Sequence, residues 1–197
     1  MKSTLPNMVL VLFTITLIAS ASVAGIKILT EEPIAAAKEN AKKEALAEVL
    51  PAFDEVSEPE KLTIDALDVE VYTATNSGEV IGYAVDTATK NGFSGLIRLM
   101  VGISPDGKVL NVNVLSHAET PGLGSKMTEE NNPLLLSVKD KNVNEMTYQV
   151  KKDNSNADFD ALTAATITSR AYADAMQRAQ KAFNQITEEA EKGADNE

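Results

Sequence analysis

Between residues 160 and 169 the chain places an acid, two small residues and several hydroxyls directly ahead of an amphipathic helical pattern, in the order Asp-Ala-Leu-Thr-Ala-Ala-Thr-Ile-Thr-Ser. The first turn of a helix has unpaired N–H groups and the positive end of the helix dipole, so it can bind a phosphate. Ala164 and Ala165 would let a bulky group approach the backbone, and a threonine hydroxyl there can contact a phosphate or be joined to one covalently. The alternative needs no ligand, because Asp, Ser and Thr are ordinary N-cap residues.

A second candidate site runs from His117 to Met127 and follows a predicted strand directly. Pro121-Gly122 is typical of a type II turn, and such a loop can present several N–H groups as a nest for anionic or carbonyl oxygens. The only histidine of the chain lies here beside Glu119 and Thr120. The alternative is a tight turn with a surface histidine, because Pro-Gly turns are common.

Composition narrows the class of protein. The 197 residues carry 29 acidic and 18 basic side chains, a net charge of −11, which makes nucleic acid a poor partner. The chain has no cysteine, so it has no disulfide, no cysteine-ligated iron–sulfur cluster and no thiol nucleophile. With a single histidine, a closed zinc site is not expected.

The N-terminal segment predicts a membrane anchor through residues 5–29. No charged residue occurs from Leu5 to Ile26, about the length that spans a bilayer. A cleaved signal peptide is the alternative, because Ala19-Ser20-Ala21 resembles a cleavage site, but the apolar run is longer than an ordinary signal core. Lys2 before the segment and Glu31-Glu32 after it favour an N-terminus inside the cytoplasmic membrane and a domain on its outer, periplasmic side.

The remaining patterns predict an α+β fold: a single N-terminal transmembrane helix, then one domain with an antiparallel sheet and flanking helices. We expect an anchor over 1–30, a connecting helix and loop over 31–60, a domain over 61–187 and an acidic disordered tail over 188–197. The predicted elements are a helix over 31–50, strands over 62–75, 79–85, 96–104, 108–115 and 145–150, and a helix over 169–187 with Thr168 or Ser169 as its N-cap.

The segment from Asp160 to Thr166 resembles the flavinylation motif of the FMN-binding subunits of Rnf and sodium-pumping NADH:quinone reductase complexes. That motif is Asp, two variable residues, Ser or Thr, usually Gly, then Ala-Thr, and it corresponds here to Asp160, Thr163, Ala164, Ala165 and Thr166. The resemblance implies that Thr166 carries FMN through a phosphoester bond installed by a flavin transferase that uses FAD. Ala164 replaces the usual Gly; if that position requires positive φ, Ala costs about 1–2 kcal/mol there.

The second site resembles the same family. Residues 117–124 are similar to the His-x-Glu-Thr-Pro-Gly-Leu-Gly segment of that family. Gly92 to Ile97 resembles the glycine-containing strand that precedes this segment in the family. Together with the anchor, the resemblance covers most of residues 5–187. It implies that the turn lines the isoalloxazine pocket, with Leu123 against the ring and the Thr120 hydroxyl near its carbonyl edge. The implied pocket residues are His117, Glu119, Thr120, Pro121, Gly122, Leu123 and Gly124.

The resemblance implies an electron-carrier subunit rather than a free-standing enzyme, namely the G subunit of an Rnf-type ferredoxin:NAD⁺ oxidoreductase. Its partners would be the other subunits of the membrane complex and the flavin transferase, and ion translocation would belong to the assembly. The first alternative is the C subunit of the sodium-pumping NADH:quinone reductase, which is generally longer than this chain.

Two further classes remain as alternatives. A cofactor-free membrane-anchored scaffold or binding module suits the acidic surface and the single anchor, but leaves both candidate sites unexplained. A serine hydrolase that uses His117 lacks the Gly-x-Ser-x-Gly elbow and an assignable partner for the histidine.

Overall fold

The chain begins with one long helix and continues into an antiparallel sheet that packs against a C-terminal helix. The computed structural model describes residues 4–194. The helices are α1 (Leu5–Val49), α2 (Pro133–Val138) and α3 (Thr166–Ala194), with a 3-10 helix over Gly124–Thr128. The strands are β1 (Glu55–Val56), β2 (Glu60–Ile64), β3 (Leu67–Asn76), β4 (Glu79–Gly92), β5 (Gly95–Ile103) and β6 (Val109–Ser116). The expected α+β class is therefore confirmed.

Two compact units divide the chain, one over residues 1–41 and one over 42–197. In the first, α1 is long and apolar enough to cross a membrane, by length and composition. The helix expected over 31–50 is continuous with this segment, so Pro33 lies inside α1 rather than in a first turn. Because proline has no N–H, it leaves the carbonyl of Leu29 without its helical hydrogen bond. The second unit begins at Lys42, well before residue 61.

In the second unit the sheet order is β1-β3-β4-β5-β6, and β2 pairs with the same edge of β3 as β1 does. All pairings between strands are antiparallel. β5 and β6 agree with the strands expected over 96–104 and 108–115, and they pair as a hairpin. The single strand expected over 62–75 is instead the β2–β3 hairpin, whose turn residues Asp65 and Ala66 have φ of 51° and 59°. Asp65 is a usual first residue of such a turn, but Ala66 stands where glycine is usual, so the sequence signal is incomplete.

One face of the sheet packs on α3, which provides the buried stripe Tyr172, Ala175, Met176, Ala179, Phe183 and Ile186 expected from the helical spacing. α3 starts at Thr166 and ends at Ala194, so it is longer at both ends than the helix expected over 169–187. The acidic tail expected over 188–197 is thus helical as far as Ala194, and residues 195–197 lie outside the described residues.

The other face of the sheet is covered by the last turns of α1. Ala45, Leu46, Val49 and Leu50 are buried there. The backbone approach is close: a Cβ on Gly102 of β5 would lie 1.9 Å from the carbonyl oxygen of Val49.

A buried charge cluster borders this apolar contact. Asp86 of β4 is fully buried and accepts hydrogen bonds from Arg98 Nε (3.1 Å) and Nη2 (2.8 Å). Lys42 Nζ lies 3.1 Å from Asp86 Oδ2 and also pairs with Glu70, which accepts from the Tyr72 hydroxyl at 3.0 Å. Burial alone would lower the pKa of Lys42, but its bonds to Glu70 and Asp86 outweigh burial and raise it. Asp86 can therefore continue β4 past Val85, because its buried charge is paired with Lys42 and Arg98.

The prediction of a strand over 145–150 is wrong. Val150 forms only an isolated bridge with Phe159, and the Thr147 N–H donates to Asp158 Oδ2 (2.7 Å) instead of to a ladder. Alternating apolar residues are present because Met146 and Val150 point into the core and the Tyr148 ring lies 5.9 Å from Phe159. Alternation here reflects burial without strand pairing.

Candidate functional site

The first turn of α3 presents unpaired backbone amides beside a threonine hydroxyl. Within residues 4–194, the N–H groups of Thr166, Ile167 and Thr168 have no hydrogen-bond acceptor. Their only intrahelical partners would lie before the helix, which is the ordinary state of a helix N-terminus. Three amides and the positive end of the dipole thus surround the Thr166 side chain, an arrangement suited to a phosphate.

The expected N-cap residues do not cap this helix, so that prediction is wrong. Thr168 and Ser169 lie inside the first turn, because α3 begins at Thr166. The Ser169 hydroxyl accepts the N–H of Leu162 (2.9 Å) and donates to the carbonyl of Ala165 (2.9 Å), which fixes the loop before the helix. Thr168 donates its hydroxyl elsewhere, to Glu119 (2.5 Å). The amides at the helix start therefore stay available.

Ala164 adopts a left-handed backbone conformation, with φ of 60°. Glycine reaches this region freely, whereas an L-residue with a Cβ loses roughly 1–2 kcal/mol there. The position that Ala164 occupies in place of glycine therefore has positive φ in this fold. The next residue, Ala165, is buried, and its N–H closes the turn onto the Leu162 carbonyl at 3.2 Å.

The loop after β6 contains the expected Pro-Gly turn. Gly122 has φ of 74°, and the Leu123 N–H donates to the Thr120 carbonyl at 3.2 Å. The loop uses several of its own amides: Ser125 N–H also donates to Thr120 O (3.3 Å), and Gly122 N–H donates to the Ser125 hydroxyl (2.9 Å). These three amides are therefore not free to form the anion nest that the turn suggested.

Glu119 joins three segments that are far apart in the chain. Its carboxylate accepts the Ser94 N–H from the β4–β5 loop (2.9 Å) and the Thr168 hydroxyl from α3 (2.5 Å), and the residue is only 5% exposed. A Cβ on Gly92 would lie 2.9 Å from one carboxylate oxygen, and a Cβ on Gly124 would lie 2.7 Å from the other. Both glycines therefore leave the space in which this carboxylate sits, and Glu119 acts as a structural bridge.

These three segments enclose a cavity of about 420 Å³. This is within the range of roughly 300–1,000 Å³ that small-molecule sites occupy. The predicted site residues that line it are Glu119, Thr120, Leu123, Gly124, Ala164, Ala165 and Thr166. The remaining lining residues are Phe93, Lys152, Ile167 and Thr168. The structure thus brings together the two candidate sites, although they are widely separated in sequence.

Five predicted site residues do not line the cavity: His117, Pro121, Gly122, Asp160 and Thr163. His117 Nδ1 accepts the Glu119 N–H at 3.1 Å, so the ring helps to hold the loop. Asp160 forms an ion pair with Lys151 at 2.8 Å, and its N–H donates to the Ser137 hydroxyl at 3.1 Å. Thr163 is exposed.

Sequence reasoning missed Lys152 and Phe93. Lys152 Nζ donates to Thr166 Oγ1 at 3.0 Å, yet it lies in a polar loop with no pattern that points to the helix start. Phe93 is 66% exposed at the mouth of the cavity. The sequence signal available for Phe93 was an aromatic residue between two glycines. No sequence signal was available for Lys152.

Charged groups beside the cavity are mostly paired with one another. Arg170 of α3 donates to both Asp153 oxygens, from Nε at 2.7 Å and Nη2 at 2.6 Å. This hydrogen-bonded pair holds the pKa of Asp153 below its usual value. Asp153 is therefore ionised and occupied near neutral pH, and Lys152 is the cation that faces the Thr166 hydroxyl.

The residues present fit a flavin mononucleotide. Phe93, Leu123 and Ile167 provide exposed apolar surface for a flat ring, while free amides and a lysine surround a hydroxyl for a phosphate. Residues 92–181 match the protein family described as the FMN-binding domain. The class of protein is thus one that contains an FMN-binding domain.

Sequence similarity to known proteins extends beyond that domain. The chain is 37% identical over 174 residues to the G subunit of the ion-translocating oxidoreductase complex of Pasteurella multocida, covering 82% of this chain and 85% of the relative. It is 34% identical over 174 residues to the protein of the same name from Haemophilus influenzae strain Rd, covering 83% of each. With that of Shewanella amazonensis it shares 42% over 111 residues, about half the length of that relative (51%). The chain belongs to this family, the G subunits of ion-translocating oxidoreductase complexes.

Proposed function

We propose that this chain is an electron-carrier subunit of an Rnf-type ion-translocating oxidoreductase complex, with FMN joined to Thr166 by a phosphoester. The observation that carries the proposal is the Thr166 hydroxyl beside three unpaired helix amides in a cavity with an exposed aromatic at its mouth. FMN exchanges one or two electrons, so it supplies the link between one-electron centres and two-electron carriers.

The geometry favours Thr166 over the two neighbouring threonines as the attachment residue. Thr163 is exposed and does not line the cavity, and the Thr168 hydroxyl is buried and donates to Glu119. Thr166 is partly exposed at the cavity wall, so its oxygen is accessible. We infer that Thr166 Oγ1 forms the bond to phosphorus while the phosphoanhydride of FAD breaks, AMP leaves with the electron pair, and a base on the flavin transferase takes the hydroxyl proton.

The apolar segment of α1 is the proposed membrane anchor, with the N-terminus inside and the domain on the outer, periplasmic side. A covalent bond retains the flavin there, where a dissociated cofactor would be lost from the cell. The other subunits of the complex would be the electron donors and acceptors, and ion translocation would belong to the assembly. The relatives are named as G subunits, which favours this assignment over the C subunit of the sodium-pumping NADH:quinone reductase.

The test is the intact mass of the full chain from membranes of cells with an active flavin transferase. We expect a gain equal to FMN less one water, located on Thr166 by peptide mapping. Thr166→Ala should abolish the gain and leave the thermal midpoint nearly unchanged, whereas Thr163→Ala should keep it. Flavin that persists on Thr166→Ala would assign attachment to another residue. An unmodified wild-type mass would favour a cofactor-free scaffold.

A further inference from the structure

Lys152 is the only lysine or arginine among the described residues that line the cavity. Its Nζ donates to Thr166 Oγ1 at 3.0 Å, across a separation of 14 residues in the chain. The flavinylation motif itself, from Asp160 to Thr166, contains no cation. Any positive charge at the phosphate subsite must therefore come from outside the motif, and Lys152 is placed to supply it.

The cations next to Lys152 already form ion pairs with carboxylates. Lys151 pairs with Asp160 at 2.8 Å, and Arg170 donates to both oxygens of Asp153. Lys152 makes no ion pair within residues 4–194; the Thr166 hydroxyl is its one hydrogen-bond partner there. The Asp153 carboxylate interacts with Lys152 through charge alone and is hydrogen-bonded to Arg170, so the Lys152 ammonium remains the group that an incoming anion would meet.

We propose that Lys152 is the counter-cation of the phosphoester on Thr166 and assists its formation; this inference rests on the proposed function. The ammonium stabilises negative charge that develops on Oγ1 as the oxygen–phosphorus bond forms and the phosphoanhydride of FAD breaks. The hydroxyl proton passes to a base of the transferase, and AMP leaves with the electron pair. Afterwards the ammonium and the three free amides together neutralise the phosphodiester anion.

The experiment measures the rate of covalent flavin incorporation into full-length apo-protein by purified flavin transferase and FAD. The variants are Lys152→Met, Lys152→Arg and the matched control Lys139→Met, which removes a likewise exposed cation at the end of α2 that does not line the cavity. We expect Lys152→Met to lower kcat at least about tenfold with little change in KM for the chain, since hydrogen bonds to charged groups commonly have effects of this size. Lys152→Arg should recover most of the rate, and Lys139→Met should match wild type.

Thermal unfolding of the same apo-proteins separates this role from a structural one. Lys152 is exposed, so Lys152→Met should unfold at the wild-type temperature while it loads slowly. A wild-type rate for Lys152→Met overturns the inference and leaves the proposed function intact. An equal loss of rate in Lys139→Met also overturns it, because general surface charge would then be the cause. Absence of loading in wild type, with a transferase active on another substrate, removes the proposed function and this inference together.

Discussion

Replacing Ala164 by glycine should stabilise the protein, because φ of 60° is unfavourable for alanine. Relief of the left-handed strain contributes about 1–2 kcal/mol. The greater freedom of glycine in the unfolded chain offsets about 0.4–1 kcal/mol of this. The net gain is thus about 0–1.6 kcal/mol and centres near 0.8 kcal/mol, which for a domain of this size raises the thermal midpoint by roughly 2–3 °C.

Ala66 provides a matched control for this prediction. It is also exposed and left-handed, with φ of 59°, but lies in the β2–β3 turn and does not line the cavity. Thermal unfolding of full-length apo-protein in mild detergent, produced without the transferase so that no flavin contributes, should show similar gains for Ala164→Gly and Ala66→Gly. A gain for Ala66→Gly together with no change or a loss for Ala164→Gly would refute the reasoning. Flavin loading of Ala164→Gly should be at least that of wild type.

Two further predictions concern the packing around Glu119 and the acid sensitivity of the domain. Gly124→Ala should destabilise the domain by about 1–3 kcal/mol in urea unfolding, because its Cβ would lie 2.7 Å from both Glu119 Oε2 and Thr168 Oγ1; unchanged stability would contradict this contact. Burial would raise the pKa of Asp158, but the hydrogen bond from Lys141 outweighs burial and lowers this pKa. The ionised carboxylate therefore stabilises the fold above the unfolded pKa of about 3.9, and this stabilisation is lost as the pH falls below that value. The stability difference between wild type and Asp158→Asn should therefore be clear at pH 7 and shrink at pH 3; a constant difference would exclude this linkage.

Local patterns predicted the elements whose neighbours are close in sequence. Pro105-Asp106-Gly107 sets the β5–β6 hairpin, and the apolar spacing after Ser169 gives the face of α3 that packs on the sheet. The same reasoning failed where a distant charge decides the structure. Asp86 reads as a strand breaker, yet it lies fully buried in β4 because Lys42 and Arg98 neutralise it.

The candidate site divides in the same way. The motif and the Pro-Gly loop identified seven of the eleven cavity-lining residues, because their residue types carry a recognisable pattern. The bridge from Glu119 to Thr168 spans 49 positions and joins two segments without any shared period, so only the fold reveals it. Lys152 lies in a polar loop where a lysine carries no signal, and its role follows only from its distance to Thr166.

The end of α1 decides where a soluble fragment of this protein must begin. A fragment starting at residue 61 would lack Ala45, Leu46, Val49 and Leu50, and the sheet face that they cover would be exposed to water. It would also lack Lys42, which leaves Asp86 with Arg98 alone. A fragment starting shortly before Lys42 keeps both contacts and omits the apolar segment. We therefore expect a fragment that starts at residue 61 to aggregate, even though it contains every residue that lines the cavity.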